Sequence, residues 1–560
     1  MNHDDEPAPF AHRARLVSGF GIFAGLALFA ASLTPSLVPR VALVQGLLGG
    51  ALFAFGYLLS VAALALWRWL GLPEPRRSLA NTLAVLAALA GVALAAIALS
   101  KAAEWQNSIR VLMDLPPVDT THPTEVALIA LVTGLGLLLV ALLVRFVFRR
   151  LTAPIRRVVP ERVAVIAGLL AAFVLFWALV EGVLVRFTLH TLDQSYAALD
   201  ALFEPDIDAP TQAWRTGSPA SHVDWDDLGR AGRRFVARAP TGAEIGKFWQ
   251  TSAQEPLRVY VGLGTSPDPD ERADLALAEL KRVGGFQRRV LVIAVPTGTG
   301  YMEEGAIAPL EYLFKGDVAT VATQYSYLQS PFSLIFEPGY GADSARALLR
   351  AVYEHWTALP ASDRPTLYLQ GVSLGALSSE RSLRLYEVLA DPINGAVWSG
   401  PPFPSPTHRS ATEEREDGSP PWLPLLGDGR FIRFTRDGSN LNRDDPWGPM
   451  RILYIQHPSD PIVFFDLATL WRAPEWLVKE RGPDVSAQMR WYPVVTALQV
   501  AADMALSNDA PPGHGHQYAP ETYIDAWEVV AEPPVSPADI ERLKALFADG
   551  IPGSEGPANP

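Results

Sequence analysis

The sequence contains no cysteine, and this absence excludes a disulfide scaffold, a thiol nucleophile and a metal site with cysteine ligands. Charged residues are also scarce, at 19% of the chain against 49% hydrophobic residues, and the mean hydropathy of +0.15 is high for a purely soluble protein. The net charge is −13 and no basic stretch has interleaved aromatic residues, so nucleic acid is not an expected partner. A chain of 560 residues predicts more than one domain.

Hydrophobic residues are concentrated in the first third of the chain. Five stretches there are about long enough, and sufficiently free of charge, to cross the hydrocarbon core of a membrane. These predicted spans are Val17 to Leu33, Val41 to Trp67, Leu79 to Leu99, Val126 to Val147 and Val163 to Val185. We therefore predict a five-helix transmembrane domain over residues 1–188. Four further spans after the first argue against a cleaved signal peptide.

Basic residues are unevenly divided between the loops of this region. Most of them precede the first span or follow the second and fourth, namely Arg13, Arg15, Arg68, Arg76, Arg77, Arg149, Arg150, Arg156, Arg157 and Arg162. The loops on the other side hold only Arg40, Lys101 and Arg110. Because positive charge marks the cytoplasmic side, we predict a cytoplasmic N-terminus and an outer location for the chain after about Phe187.

The remaining chain predicts a connector and an α/β domain. Residues 189–256 are polar but contain several tryptophans, which favours a connector packed on the outer domain. From residue 257 to residue 560, short β-branched runs alternate with helical segments, a pattern typical of a doubly wound, mostly parallel sheet. The stretch 401–446 is rich in proline, glycine and charge, and its length predicts a lid-like insertion.

The most informative motif is Gly371-Val-Ser373-Leu-Gly375, which follows the apolar run Leu367 to Leu369 and precedes a helical segment. A strand, a sharp turn and a helix in this order can hold a serine hydroxyl above a sheet as a nucleophile. The alternative is a glycine-flanked turn without chemistry, because short motifs of this kind also occur by chance.

A serine nucleophile needs an imidazole base, and the base needs an acid that orients it. Asp460 directly follows the predicted strand Arg451 to Gln456, and only His514 and His516 come later in the chain. We favour His514 as the base, because it follows Gly513 directly and a short loop separates it from the next helix, and His516 is the alternative. Two further acids, Asp503 and Asp509, are weaker candidates because neither ends a convincing strand.

The developing oxyanion needs backbone N–H donors. Leu374, the residue after the serine, is the first candidate, and Gly264 or Thr265 at the end of the first predicted strand is the second. A plain strand-ending turn explains the latter pair equally well. The glycine clusters match no nucleotide-binding fingerprint and no HExxH-type helix is present, so we expect neither a cofactor nor a metal.

Several motifs together resemble a family of bacterial membrane-bound α/β-hydrolases that join a polytopic N-terminal region to a serine hydrolase-like domain. They are Leu33-Thr-Pro-Ser-Leu-Val-Pro-Arg40, Val259-Tyr-Val-Gly-Leu263, Gly371-Val-Ser-Leu-Gly375, Gln456-His-Pro-Ser-Asp-Pro-Ile462 and Pro512-Gly-His-Gly-His516. The resemblance runs over nearly the whole chain and implies a membrane hydrolase of poorly defined substrate. One departure is Val372, where a more polar residue is expected.

The residues and the resemblance lead to one functional hypothesis and one rival. We expect a serine ester hydrolase or acyltransferase of the bacterial inner membrane, with its catalytic domain in the periplasm or its equivalent. Its expected substrate is a phospholipid or another envelope-lipid ester, including an aminoacyl ester of phosphatidylglycerol. The rival is a non-catalytic membrane interaction or transport protein whose hydrolase domain is degenerate.

Overall fold

The computed structural model describes residues 18–155, 170, 171, 174, 177, 197, 199–328, 339–441 and 446–552. The chain divides into two compact units. Unit 1 consists of Met1–Phe176, Leu467–Leu477 and Val485–Leu506. Unit 2 consists of Trp177–Asp466, Val478–Asp484 and Ser507–Pro560. The chain therefore returns twice to the N-terminal unit after most of the α/β domain has been completed.

The described helices begin with four long apolar ones and continue with helices that alternate with strands. They are α1 (Gly19–Ser32), α2 (Ala42–Trp69), α3 (Arg77–Arg110), α4 (Pro123–Ile155), α5 (Gly229–Ala237), α6 (Gly242–Trp249), α7 (Pro269–Arg282), α8 (Glu304–Leu313), α9 (Tyr340–Ala358), α10 (Leu374–Ser382), α11 (Pro406–Glu413), α12 (Pro461–Phe464), α13 (Glu475–Val478), α14 (Val495–Met504), α15 (Pro520–Ala531) and α16 (Pro537–Ala548). Local signals explain several starts. At α7, for example, the Asp268 side chain accepts a hydrogen bond from Asp270 N–H, and Pro269 occupies the first turn.

Unit 2 is built on one seven-stranded sheet in which every neighbouring pair is parallel. The strands are β1 (Leu257–Val261), β2 (Val290–Val295), β3 (Val318–Thr323), β4 (Thr366–Val372), β5 (Gly395–Ser399), β6 (Ile432–Thr435) and β7 (Arg451–Ile455). Their order is β1-β3-β2-β4-β5-β7-β6, so β4 lies at the centre. All residues of β2 and β3 are buried, as expected of parallel strands with helices on both faces. The predicted fold class, apolar helices followed by a parallel α/β domain, is confirmed.

Two strands were not predicted. β3 has the sequence VATVAT, in which alanine and threonine weaken the hydrophobic signal of a buried strand. β6 lies inside the stretch 401–446 that was predicted to be irregular, and the same stretch contains α11. β6 pairs with β7 at the edge of the sheet, so part of the predicted lid-like insertion belongs to the sheet itself.

Three described helices of unit 1 are long and apolar enough to cross a membrane, namely α2, α3 and α4. The first predicted span corresponds to α1, which is apolar but has only 14 residues. The fifth predicted span, 163–185, lies outside the described residues apart from residues 170, 171, 174 and 177. The helices pack closely through glycines. A Cβ added at Gly50 of α2, for instance, would lie 2.5 Å from the carbonyl oxygen of Ala130 in α4.

The late segment of unit 1 packs on these helices. Val495 of α14 joins Leu48 and Leu52 of α2 in one hydrophobic cluster. Beside it lies a buried ion pair, in which Arg40 Nε is 2.6 Å from Asp503 Oδ1 and neither side chain is exposed. Asp503 Oδ2 accepts a hydrogen bond from the Leu37 N–H. This acid, a weaker candidate for the catalytic role, therefore serves as the partner of Arg40 in unit 1.

Replacement of Asp503 by alanine should lower the free energy of unfolding by about 3–5 kcal/mol, because it leaves the Arg40 guanidinium buried without its counter-charge. Thermal unfolding in detergent measures the effect. The matched control is the double variant Arg40→Met/Asp503→Leu, which removes both charges and should recover most of the loss. A single variant as stable as the wild type would show that the pair contributes nothing.

Candidate active site

The centre of the site is the turn between β4 and α10. Ser373 has φ 55° and ψ −123°, a backbone conformation that a non-glycine residue adopts only under constraint. The flanking glycines make the turn possible. A Cβ at Gly371 would lie 2.5 Å from the Gly375 carbonyl carbon, and a Cβ at Gly375 would lie 2.1 Å from Val295 O. The predicted strained turn is thus present, with Ser373 at its apex.

Ser373 and His516 both approach one peptide group, the one that joins Ser399 to Gly400 at the end of β5. Ser373 N–H donates to Ser399 O over 2.9 Å, and Ser399 is the last residue of β5. The next residue, Gly400, has φ 53°, and a Cβ there would lie 2.4 Å from Cε1 of His516. The Ser373 backbone and the His516 ring therefore both lie at the Ser399–Gly400 corner, at the carboxyl ends of parallel strands where sites form in such sheets.

Asp460 is fully buried and holds His516. His516 Nδ1 lies 2.6 Å from Asp460 Oδ2, and the Tyr518 hydroxyl donates to the same oxygen over 2.6 Å. Asp460 Oδ1 accepts from Ile462 N–H over 2.8 Å and caps α12. Three donors therefore converge on one carboxylate. A carboxylate bonded to Nδ1 keeps the proton on that nitrogen and leaves Nε2 free to accept a proton.

The other predicted base, His514, does not contact Asp460. Its Nδ1 lies 3.6 Å from Oδ2 of Asp484, a residue that the sequence had not singled out. His516 Nε2 is buried and has no hydrogen-bond partner in the part of the chain that the structure describes. Unliganded sites often show such long or unmade catalytic hydrogen bonds. Of the two histidines, the geometry favours His516 as the partner of Asp460, the reverse of our preference from sequence.

Of the predicted oxyanion donors, the geometry favours Leu374 and does not favour Gly264 or Thr265. Leu374 is the first residue of α10, so its N–H has no acceptor within the helix. Gly264 and Thr265 follow β1, which β3 and β2 separate from β4, and a Cβ at Gly264 would approach Asp227 O at 3.9 Å and no atom of the turn between β4 and α10 within 4 Å. On the β1 side, the strand next to β4 is β2. A Cβ at Gly375 would lie 3.1 Å from Pro296 O, so the turn at 296–300 lies close to the turn between β4 and α10. The sheet topology therefore favours this turn over Gly264 and Thr265 as the source of a second donor.

Two titratable groups near the site have shifted pKa values. Burial raises the pKa of Glu303 to about 7, helped by the charge of Glu304 and opposed by the Gly305 N–H and by His516. Burial lowers the pKa of His457, whose ring stacks on Tyr518 at 4.5 Å. At neutral pH a carboxyl near its titration point and a neutral imidazole therefore flank the base.

The remaining sequence candidates lie elsewhere. Asp503 is in unit 1, and Asp509 is exposed at the end of a short 3-10 helix. Within the described ranges, no group of three or more histidine and acidic side chains is placed to hold a metal ion. Tyr518 and Glu303 were missed as site residues. The position of Tyr518, two residues after His516, was a usable signal, whereas nothing in the sequence pointed to Glu303.

Comparisons with known proteins identify the family of the chain. Residues 257–543 match a family model described as "Alpha/beta-hydrolase family", and residues 33–240 match one described as "Alpha/beta-hydrolase family N-terminus". Searches of curated proteins and of solved structures find no match. Because the first match alone covers just over half of the 560 residues, the chain belongs to the alpha/beta-hydrolase family that its motifs resemble.

Proposed function

We propose that the protein is a serine ester hydrolase or acyltransferase. The observation that supports this most directly is the constrained serine at a strand–helix elbow whose neighbouring corner also contacts an aspartate-bound imidazole. A hydrolase-type function fits the family to which the chain belongs. The ester specificity and the serine mechanism are our inference from the site.

In the proposed mechanism, Ser373 Oγ attacks the ester carbonyl carbon while His516 Nε2 takes the serine proton. Asp460 orients the imidazole and stabilises the positive charge that it gains. The Leu374 N–H, with a donor from the turn at 296–300, stabilises the oxyanion of the tetrahedral intermediate. His516 then gives the proton to the leaving alcohol. Water, or a second alcohol in an acyl transfer, releases the acyl group and restores Ser373.

The substrate that we propose is a lipid or another envelope ester. Support comes from the apolar helices α2, α3 and α4, which would hold the same chain in a bilayer where such esters are concentrated. The arginine distribution favours a cytoplasmic N-terminus and a catalytic domain on the outer side of a bacterial inner membrane. Membrane lipids are therefore the proposed partners, and no further protein partner is proposed.

Labelling with a fluorophosphonate probe tests the proposal. Detergent-solubilised wild type should form a covalent adduct, and Ser373→Ala should form none, because the probe reacts only with an activated serine. Ser382→Ala is the matched control. It removes a buried hydroxyl from the same helix, which among the described residues bonds only to Ser379 O, and should label like the wild type.

An unlabelled wild type, or equal labelling of Ser373→Ala, would favour the rival function. The protein would then act as a membrane interaction or transport protein with a degenerate hydrolase domain. If labelling succeeds, lipid profiles of a deletion strain should show accumulation of the ester substrate. Complementation with Ser373→Ala should not reverse that accumulation.

A further inference from the structure

Behind the His516–Asp460 pair lies a second hydrogen-bonded network that the mechanism does not use. We propose that Ser459 and Asp484 are positioning residues that fix the backbone of the base loop, residues 513–516, and through it the imidazole of His516. This inference builds on the proposed function of that imidazole. The network reaches the loop at Gly515, the residue directly before the base.

Both backbone groups of Gly515 are bonded to the segment that carries Asp460. Gly515 N–H donates to Ser459 Oγ over 2.9 Å, and Gly515 O accepts from His457 Nδ1 over 2.9 Å. Gly515 has φ 53°, in the left-handed region that favours glycine. The segment 457–460 therefore holds both sides of the base, with Asp460 bonded to the ring and Ser459 and His457 bonded to the preceding residue.

The hydrogen-bond directions in this network are determined by its donors. A backbone N–H can only donate, so Ser459 Oγ accepts from Gly515 and its single proton must go to another acceptor. That acceptor is Asp484 Oδ2, at 2.5 Å, which also receives the weaker bond from Ser459 N–H at 3.4 Å. Asp484 thus orients the Ser459 hydroxyl so that a lone pair faces Gly515.

Asp484 can do this because it stays ionised. Burial alone would raise its pKa, but the hydrogen bond from Ser459 and the nearby imidazoles of His514, at 3.6 Å, and His457 hold the pKa below the usual range. Asp484 and Ser459 are almost completely buried, at 1% and 0% exposure, so water cannot substitute for either of them. In this network His514, the base that we favoured from sequence, contacts Asp484.

The consequence for catalysis is geometric. The bond from His516 Nδ1 to Asp460 fixes one end of the ring, but the ring can still tilt if the main chain before it moves. A displacement of about 1 Å at a reacting group can reduce a rate by about a hundredfold. The network therefore sets the position of Nε2 relative to Ser373 without contacting the substrate.

The kinetic test compares Ser459→Ala and Asp484→Ala with wild type in an ester hydrolysis assay. We expect kcat to fall by about 10- to 100-fold with KM nearly unchanged, because the lost groups act on the base and not on the substrate. Ser459→Thr keeps the hydroxyl and should recover most of the rate. The matched control is Ser344→Ala, which removes another buried serine hydroxyl with one partner, Thr323, and should leave kcat unchanged.

A second measurement separates positioning from general damage. In the His516→Ala background, Ser459→Ala should cause no further loss of the residual rate, because its effect passes through the imidazole. An added loss in that background, or an unchanged kcat in Ser459→Ala alone, would overturn the proposal.

Hydrogen exchange gives a readout that does not need activity. Ser459→Ala removes the acceptor of the Gly515 N–H, so the amides of residues 513–516 should exchange at least about tenfold faster, while those of β4 and β7 stay protected. A wild type without fluorophosphonate labelling would refute the proposed function, and exchange would still decide the role of Ser459. Unchanged exchange in the base loop would refute the positioning role even if the wild type is labelled.

Discussion

Replacement of His516 by alanine should lower kcat/KM by about 10⁴- to 10⁶-fold, the loss expected when the base of a serine nucleophile is removed. The physical reason is that the Ser373 hydroxyl is a poor nucleophile until a neighbouring group takes its proton. In the structure only His516, of the two candidate imidazoles, bonds to Asp460, and it lies against the corner that also receives the Ser373 N–H.

The comparison variant is His514→Ala, which should reduce kcat/KM by no more than about tenfold, since His514 lies 3.6 Å from Asp484 and does not bond to Asp460. Initial rates of ester hydrolysis and second-order rates of fluorophosphonate labelling should rank the two variants in the same order. Both should unfold close to the wild-type temperature. A larger loss in His514→Ala than in His516→Ala would restore the assignment that the sequence favoured and would require the base loop to rearrange during catalysis.

The elbow was predictable because all its determinants are local. A buried strand, two glycines and a helix lie within a short stretch, and the strain at Ser373 follows from that order. Asp460 could be singled out for a similar reason, because it lies five residues after the end of β7 and caps the next helix.

The choice between the histidines was not predictable, because it depends on the conformation of a loop. His514 and His516 are two residues apart, and the left-handed glycines at 513 and 515 turn the chain so that their rings meet different acids. One of those acids, Asp484, lies in the seven-residue stretch Val478–Asp484. This stretch belongs to unit 2 but lies in sequence between two segments of unit 1. No periodic pattern in the sequence indicates that the chain passes from one unit to the other at these points.

The strand order explains why the geometry does not favour Gly264 or Thr265 as the second oxyanion donor. The sequence order alone does not show whether the turn after β1 or the turn after β2 lies beside the turn between β4 and α10. The undetected strand β3 inserts between β1 and β2 and moves Gly264 and Thr265 toward the edge of the sheet. Missing one strand of weak hydrophobic pattern was therefore enough to leave the neighbours of the turn between β4 and α10 undetermined, although the fold class was correct.

Replacement of Asp460 by asparagine should lower kcat by about 10⁴-fold while the fold is retained, as expected when an orienting carboxylate becomes an amide. The site makes this substitution unusually unfavourable. His516 Nδ1, the Tyr518 hydroxyl and the Ile462 N–H all donate to Asp460, and an amide group has one oxygen where the carboxylate has two. If the amide nitrogen takes the position of Oδ2, it faces His516 as a donor and favours the tautomer in which Nε2 carries the proton, so Nε2 cannot act as a base.

The pH dependence of kcat/KM distinguishes this effect from simple loss of packing. Without the negative charge of Asp460 the imidazolium is less stabilised, so the acid limb of the profile should move to lower pH in Asp460→Asn. Tyr518→Phe is the matched control, since it removes one donor to the same oxygen but keeps the charge and the ring. It should cost no more than about tenfold in kcat and leave the acid limb in place. An Asp460→Asn variant that keeps more than about a tenth of the wild-type kcat would show that Asp460 does not control the tautomer of the base.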